Sequence, residues 1–146
     1  MESLGRENAM QIYPVFFTET NDEKDTVLVY MPDINGMTEG YGLYDAFSMA
    51  KEYIGNYLCT KVDSSFPKPT PIEEIKQESN VFKSAGKTML FLVDVDVDSF
   101  RRRNKSKCVR RNITLPEWLD EMAVSERINV SEVTQNALKQ RFGIST

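Results

Sequence analysis

The sequence has 146 residues, 40% hydrophobic and 27% charged, with no His, two Cys and a net charge of −4. That length suits one ordinary domain or two very small ones, and the composition is globular rather than disordered. The lack of His excludes Ser-His and Cys-His nucleophile pairs, His-ligated zinc and the usual neutral-pH proton shuttle, while Cys59 and Cys108 are too few for a four-Cys zinc site or a disulfide framework.

Sparse cysteine points to a reducing compartment. No apolar run reaches the roughly 18 residues of a membrane span. Met1–Ala9 lacks the apolar core of a secretory signal, so a cytoplasmic protein is expected.

Gln11–Thr18 is β-branched and aromatic and predicts a strand, with Pro14 favouring an edge position. Glu19–Asp25 is a polar turn, and Thr26–Met31 is a second strand that completes a hairpin. Pro32–Gly36 is turn chemistry, and Met37–Tyr41 suits a short third strand. Leu43, Ala46, Phe47, Ala50, Ile54, Tyr57 and Leu58 recur at helical spacing, which predicts a helix from Leu43 to Leu58 with its apolar stripe on the sheet. Lys61–Thr70, with Pro67 and Pro69, is a connector, and Pro71–Gln77 suits one or two helical turns. Thr88–Val97 predicts a further strand. Arg101–Lys107 is read as a charged hinge marking a domain boundary, with a body over residues 10–100 and a module over 107–146.

In that module Cys108–Leu115 is strand-like. Thr114 is the expected cap of a helix running to about Glu126, with Pro116 in its first turn and Glu117 at the capping-box position. Asn129 or Ser131 caps a second helix, which runs to about Phe142 and stops at Gly143. One copy of strand-helix-helix is too small to bury a core and leaves its strand unpaired. Two copies would solve both problems by pairing strands into an antiparallel ribbon over four helices.

The net charge divides by position. Residues 1–100 hold 8 basic and 17 acidic side chains, net −9, whereas residues 101–146 hold 10 basic and 5 acidic, net +5. Arg101–Arg111 has seven basic residues and no acidic one. Such asymmetry suggests nucleic-acid contact on the basic side.

The stretch Arg110-Arg111-Asn112-Ile113-Thr114-Leu115-Pro116-Glu117, followed by Ser131-Glu132-Val133, resembles the ribbon-helix-helix DNA-binding domain. Alternation puts Cys108, Arg110, Asn112 and Thr114 on one strand face and Val109, Arg111, Ile113 and Leu115 on the other. In a groove-reading ribbon the less apolar face meets the bases, which makes Arg110, Asn112 and Thr114 the candidate base readers. The amides near Asn129 and Ser131 suit a phosphate. Arg111 departs from the pattern, since its phase puts charge on the apolar face.

The body carries Tyr13-Pro14-Val15-Phe16-Phe17, then Val27–Asp33, Gly36 and Thr38-Glu39-Gly40 ahead of the amphipathic helix. In that order these resemble the N-terminal domain of HicB-family antitoxins. The resemblance implies an α+β protein with a partial ribonuclease-H-like body, and a start at Met10 preceded by a nine-residue extension. It implies a type II toxin–antitoxin role with no catalytic residues and no cofactor or metal. The partner would be a HicA-like mRNA-cleaving toxin, neutralised by occlusion. The tail would bind operator DNA and repress its own operon, as a dimer through the ribbon and a tetramer through the body. The acidic body suits a basic partner.

Two other classes are weighed. Asp94, Asp96 and Asp98 alternate and could share a strand face, as the carboxylates of a two-metal nuclease do. A stand-alone ribbon-helix-helix repressor needs no toxin at all.

Overall fold

Apolar residues crowd the first strand, Met10–Thr20, on both faces, and from Tyr13 to Thr18 both faces are buried. The computed structural model describes residues 10–144, and the expected N-terminal extension lies outside them, as does the stretch read for a secretory signal. The strands are β1 (Met10–Thr20), β2 (Thr26–Met31), β3 (Gly36–Tyr41) and β4 (Gly86–Asp96), in the sheet order β3-β2-β1-β4 with every neighbour antiparallel. Helix α1 (Leu43–Leu58) lies on one face. Tyr13, Val15 and Phe17 of β1 join Val93 and Val95 of β4 and Ala46, Ala50, Ile54 and Leu58 of α1 in the core. Each fully buried large side chain there contributes about 1.5–3 kcal/mol.

The opposite alternation of β1 puts Phe16 and Thr18 on the second face, and both are fully buried. Phe16 stacks with Tyr30, and the connector reaches Thr18. Asn80, 1% exposed, donates from Nδ2 to Thr18 Oγ1 at 3.1 Å and to Thr88 Oγ1 at 3.0 Å. Its Oδ1 accepts the Phe82 amide, so the buried amide group is satisfied. The connector is therefore a packed element, with short 3-10 turns at Asp63–Ser65, Ile72–Glu74 and Gln77–Ser79.

Pro14 does not sit in an edge strand, because β1 has neighbours on both sides. The register explains the tolerance. The pairing with β2 covers Phe16–Glu19 only, whereas β4 pairs from Met10 to Thr20. Pro14 lies in the stretch paired on one side alone, where the missing N–H costs no ladder bond to β2.

The expected hinge is also corrected. Residues 101–104 belong to a second helix, α2 (Val97–Asn104), whose Phe100 packs against the core of the body. Asp96 caps it by accepting the Ser99 amide at 3.4 Å. Gly55 of α1 is a close-approach glycine, since a Cβ there would lie 2.3 Å from the Phe100 ring.

The chain divides into two compact units, one ending at Ser106 and the other beginning at Lys107. The second unit contains α3 (Glu117–Ser125) and α4 (Val130–Arg141). Cys108–Leu115, expected as a strand, carries no strand pairing in the single chain, because a strand requires a neighbour for its backbone groups. Thr114 is not the cap of α3. That helix begins at Glu117 with Pro116 at the cap position and no side-chain cap bond. Asn129 does cap α4, its Oδ1 accepting the Glu132 amide at 3.1 Å.

Candidate functional site

The body and the second unit present different surfaces. The body contains twelve basic and seventeen acidic residues over 1–106, net −5, and the second unit six and five over 107–146, net +1. The division expected from position alone was larger because it assigned the three α2 arginines and Lys105 to the tail. Arg101 reaches Asp63 at 2.8 Å and Asp98 at 3.4 Å, Arg102 reaches Asp96 at 4.0 Å, and Arg103 reaches Glu52 at 3.0 Å. These cations are committed to carboxylates of the body.

Arg101 is the firmest of the three. It also donates to the Lys61 carbonyl at 2.7 Å and lies over the Phe66 ring at 5.5 Å. The hydrogen bond to Asp63 holds its pKa above the ordinary arginine value, against the opposing pull of burial.

Those contacts also dispose of the shared carboxylate face. β4 ends at Asp96, so Asp98 stands on α2 and not on the strand. Asp94 pairs with Lys51 at 3.3 Å, Asp96 caps α2 and Asp98 pairs with Arg101. Among the described residues no group of three or more His, Cys, Asp or Glu is placed to hold a metal ion.

In the second unit, Arg110, Arg111 and Asn112 line a groove of about 840 Å³ together with Ser131, Thr134 and Gln135 of α4. Three of the candidate DNA-contacting residues, Arg110, Asn112 and Ser131, therefore share one concavity with Arg111. Thr114 is exposed and outside it. Asn129 spends its side-chain oxygen on the Glu132 amide, so what it leaves for an anion is the first-turn amides of α4 that lack an intrahelical acceptor.

The alternate residues Ile113 and Leu115 face a second, almost wholly apolar cleft of about 370 Å³, lined by Leu119, Met122, Ile128 and Val133 among others. Among the described residues of this unit none is buried. Val109, Ile113, Met122, Val133 and Phe142 are all more than half exposed.

Within the body, the turn after β2 is tied to the connector. The Asp33 carboxylate accepts both the amide of Thr70, at 3.0 Å, and its hydroxyl. Beside it Tyr13 donates to the Pro67 carbonyl at 2.7 Å. Burial first, then the nearby Asp33 and Tyr57, push the Tyr13 pKa up to about 12. Pairings across 37 and 54 residues have no local signature. Asp33 in a Pro-Asp turn was the only visible hint of one.

The family model for the HicB-like antitoxins of bacterial toxin–antitoxin systems matches residues 13–141. The fold is similar to that of a chain in a toxin–antitoxin complex from Streptococcus pneumoniae, at 22% identity and a TM-score of 0.58, over 90% of this chain and 99% of that one. It is also similar to the crystal structure of the antitoxin HicB of Burkholderia pseudomallei, at 21% identity and a TM-score of 0.45, over 91% and 97%. No curated protein matches the sequence. The family match spans both units, from β1 to the last residue of α4, and the chain belongs to the HicB-like antitoxins of bacterial toxin–antitoxin systems.

Proposed function

We propose that the body binds and occludes an RNA-cleaving toxin of the HicA kind, while the second unit binds operator DNA and represses the operon that encodes the pair. The observation that carries this reading is the family match across both units, joined to their different surfaces. The body, net −5, suits a basic protein. Its hairpin, third strand and helix are read as a partial ribonuclease-H-like layer with no catalytic role. No helix among the described residues is long and apolar enough to cross a membrane, and the site of action is read as the cytoplasm.

The second unit is the DNA-binding part by its surfaces. About forty residues with no buried side chain among those described do not hold a fold alone. A second copy supplies what is missing: its Cys108–Leu115 segment pairs with this one as a ribbon, and the apolar cleft closes between helices. Arg110, Asn112 and Thr114 then occupy the ribbon face turned to the major groove, and the start of α4 at Asn129 and Ser131 meets a phosphate. Arg111, lining the same groove as Arg110, reaches a phosphate at the ribbon edge. Tetramers form by further contact between bodies.

Two measurements test this. Titrating the full chain into an RNA-cleavage assay of the toxin encoded with it should stop cleavage at a fixed stoichiometry; cleavage that persists at excess overturns the antitoxin reading. In a mobility-shift assay on the DNA upstream of the gene pair, Arg110→Ala and Asn112→Ala should each weaken binding by about 1–3 kcal/mol. Unchanged binding by both overturns the assignment of the ribbon face.

A further inference from the structure

We infer that the toxin docks on one end of the body, where two exposed tyrosines, Tyr41 and Tyr44, stand among carboxylates at the edge of the sheet, and that it presents a lysine- or arginine-rich face there. The inference rests on the reading of this chain as a toxin-binding antitoxin. Tyr41 is 73% exposed and Tyr44 88%, the two most exposed aromatic side chains of the described body.

Their backbone is held firmly. Tyr41 ends β3, an edge strand, and pairs with Thr26. Its amide donates to the Asp45 carboxylate at 2.8 Å. The Gly42 amide donates to the Asp25 carbonyl at 2.6 Å, which seats the Asn21–Asp25 turn against this corner. A large aromatic side chain on a fixed backbone loses little freedom on binding, which is the character of an interface anchor.

Charge selects the partner. Residues 21–25 and 39–45 together hold Asp22, Glu23, Asp25, Glu39 and Asp45 against a single Lys24. Glu23 is engaged with Thr26, and Asp45 with Tyr41, but Asp22, Asp25 and Glu39 are exposed. A guanidinium or ammonium over a tyrosine face, with a carboxylate beside it, gains both attractions at once.

The arginines of the described body lie elsewhere, and Lys24, Lys83 and Lys87 are the cations near this end. Arg101, Arg102 and Arg103 are on α2, which follows Asp96, whereas this corner adjoins Thr20 and Gly86 at the other end of β4. Ten residue steps along the strand separate the two ends, about 30 Å. The chain leaves the body at Ser106, beyond α2, so a protein seated on the tyrosine corner leaves that exit open.

The test is binding of the full-length chain to the toxin encoded with it. Tyr41→Ala with Tyr44→Ala should lower affinity by about 30-fold or more, as loss of an anchor does. Asp22→Asn with Asp25→Asn and Glu39→Gln should flatten the salt dependence of the wild-type affinity. Leu92→Asn, on the far edge strand, should leave both unchanged. As all these side chains are exposed, melting temperatures should stay near that of the wild type. Should a variant fail to fold, hydrogen exchange of the wild-type complex decides, with slowed exchange expected at the amides of residues 21–25 and 39–45. Tight toxin binding with no loss in the variants, or with no protection of that corner, overturns the inference and leaves the antitoxin reading intact. A wild-type chain that does not bind the toxin overturns both.

Discussion

The Arg101 guanidinium donates to the Asp63 carboxylate at 2.8 Å across 38 residues, and so ties α2 to the connector. The same side chain holds the Lys61 carbonyl and lies over Phe66. Only about a quarter of it is exposed, so the ion pair is screened less than a surface pair. Arg101→Ala should destabilise the body by about 1–2 kcal/mol, seen as a lower urea midpoint at constant slope. Arg101→Lys should recover only part of this, because one ammonium nitrogen cannot serve both the Asp63 carboxylate and Lys61 carbonyl, held by Nη2, and the Asp98 carboxylate, held by Nη1.

Tyr13 gives the body a pH response on the alkaline side. Its pKa is about 12 in the fold, raised mainly by burial, and about 10 in the unfolded chain. Its stabilising effect is complete below pH 10 and is lost as pH rises to 12, where the unfolded chain gives up the proton first. A shift of this size is worth about 2–3 kcal/mol. Tyr13→Phe cannot ionise, so its denaturation curve between pH 10 and 12 should be flatter than that of the wild type. At neutral pH the variant should be weaker by about 1 kcal/mol, since the Pro67 carbonyl loses its donor.

Gly40 is required by contact, not by turn geometry. A Cβ there would stand 2.5 Å from the Ala46 amide nitrogen, and the obstruction is helix backbone that cannot rotate away. Gly40→Ala should therefore cost about 2–3 kcal/mol, as overpacking does, and should push α1 away from β3. A melting temperature within error of the wild type would show that the helix can shift at no cost.

The body was legible wherever one element sets its own period. β2 and α1 fall on their expected residues, and the Pro-Asp turn closes with Asn35 in a left-handed conformation (φ 48°). What the sequence concealed is long-range. Whether Pro14 lies at an edge depends on how far β2 extends beside β1, and that is set by the register of a different strand. The arginine run reads as a hinge because composition cannot say that Asp63 and Glu52 wait for Arg101 and Arg103. In the second unit both helices were visible from their start and stop residues, although Pro116 and not Thr114 holds the cap position of α3. Cys108–Leu115 has the alternation of a strand but, in one chain, no neighbour to pair with. The candidate site divides in the same way. Arg110 and Asn112 are proposed from alternation alone, while proposing the tyrosine corner needed the contact between Gly42 and Asp25.

The two helices of the second unit end in the same way with different residues. After α4, Gly143 takes a left-handed φ of 68°, and the Gly143 and Ile144 amides donate to the Gln140 and Lys139 carbonyls. After α3, Arg127 takes the same kind of φ, 55°, and the Arg127 and Ile128 amides donate to the Val124 and Ala123 carbonyls. A residue with a Cβ in that conformation costs about 1–2 kcal/mol, which glycine avoids. Glycine also widens the unfolded ensemble, offsetting about 0.4–1 kcal/mol of the gain. Arg127→Gly should therefore stabilise the unit by roughly 0.5 kcal/mol, while Gly143→Ala should destabilise it by about 1 kcal/mol. Thermal melts at several protein concentrations separate these local effects from self-association, because a local effect at a helix end shifts every curve alike. A melting temperature lowered by Arg127→Gly would mean that the arginine side chain contributes more than its backbone strain costs.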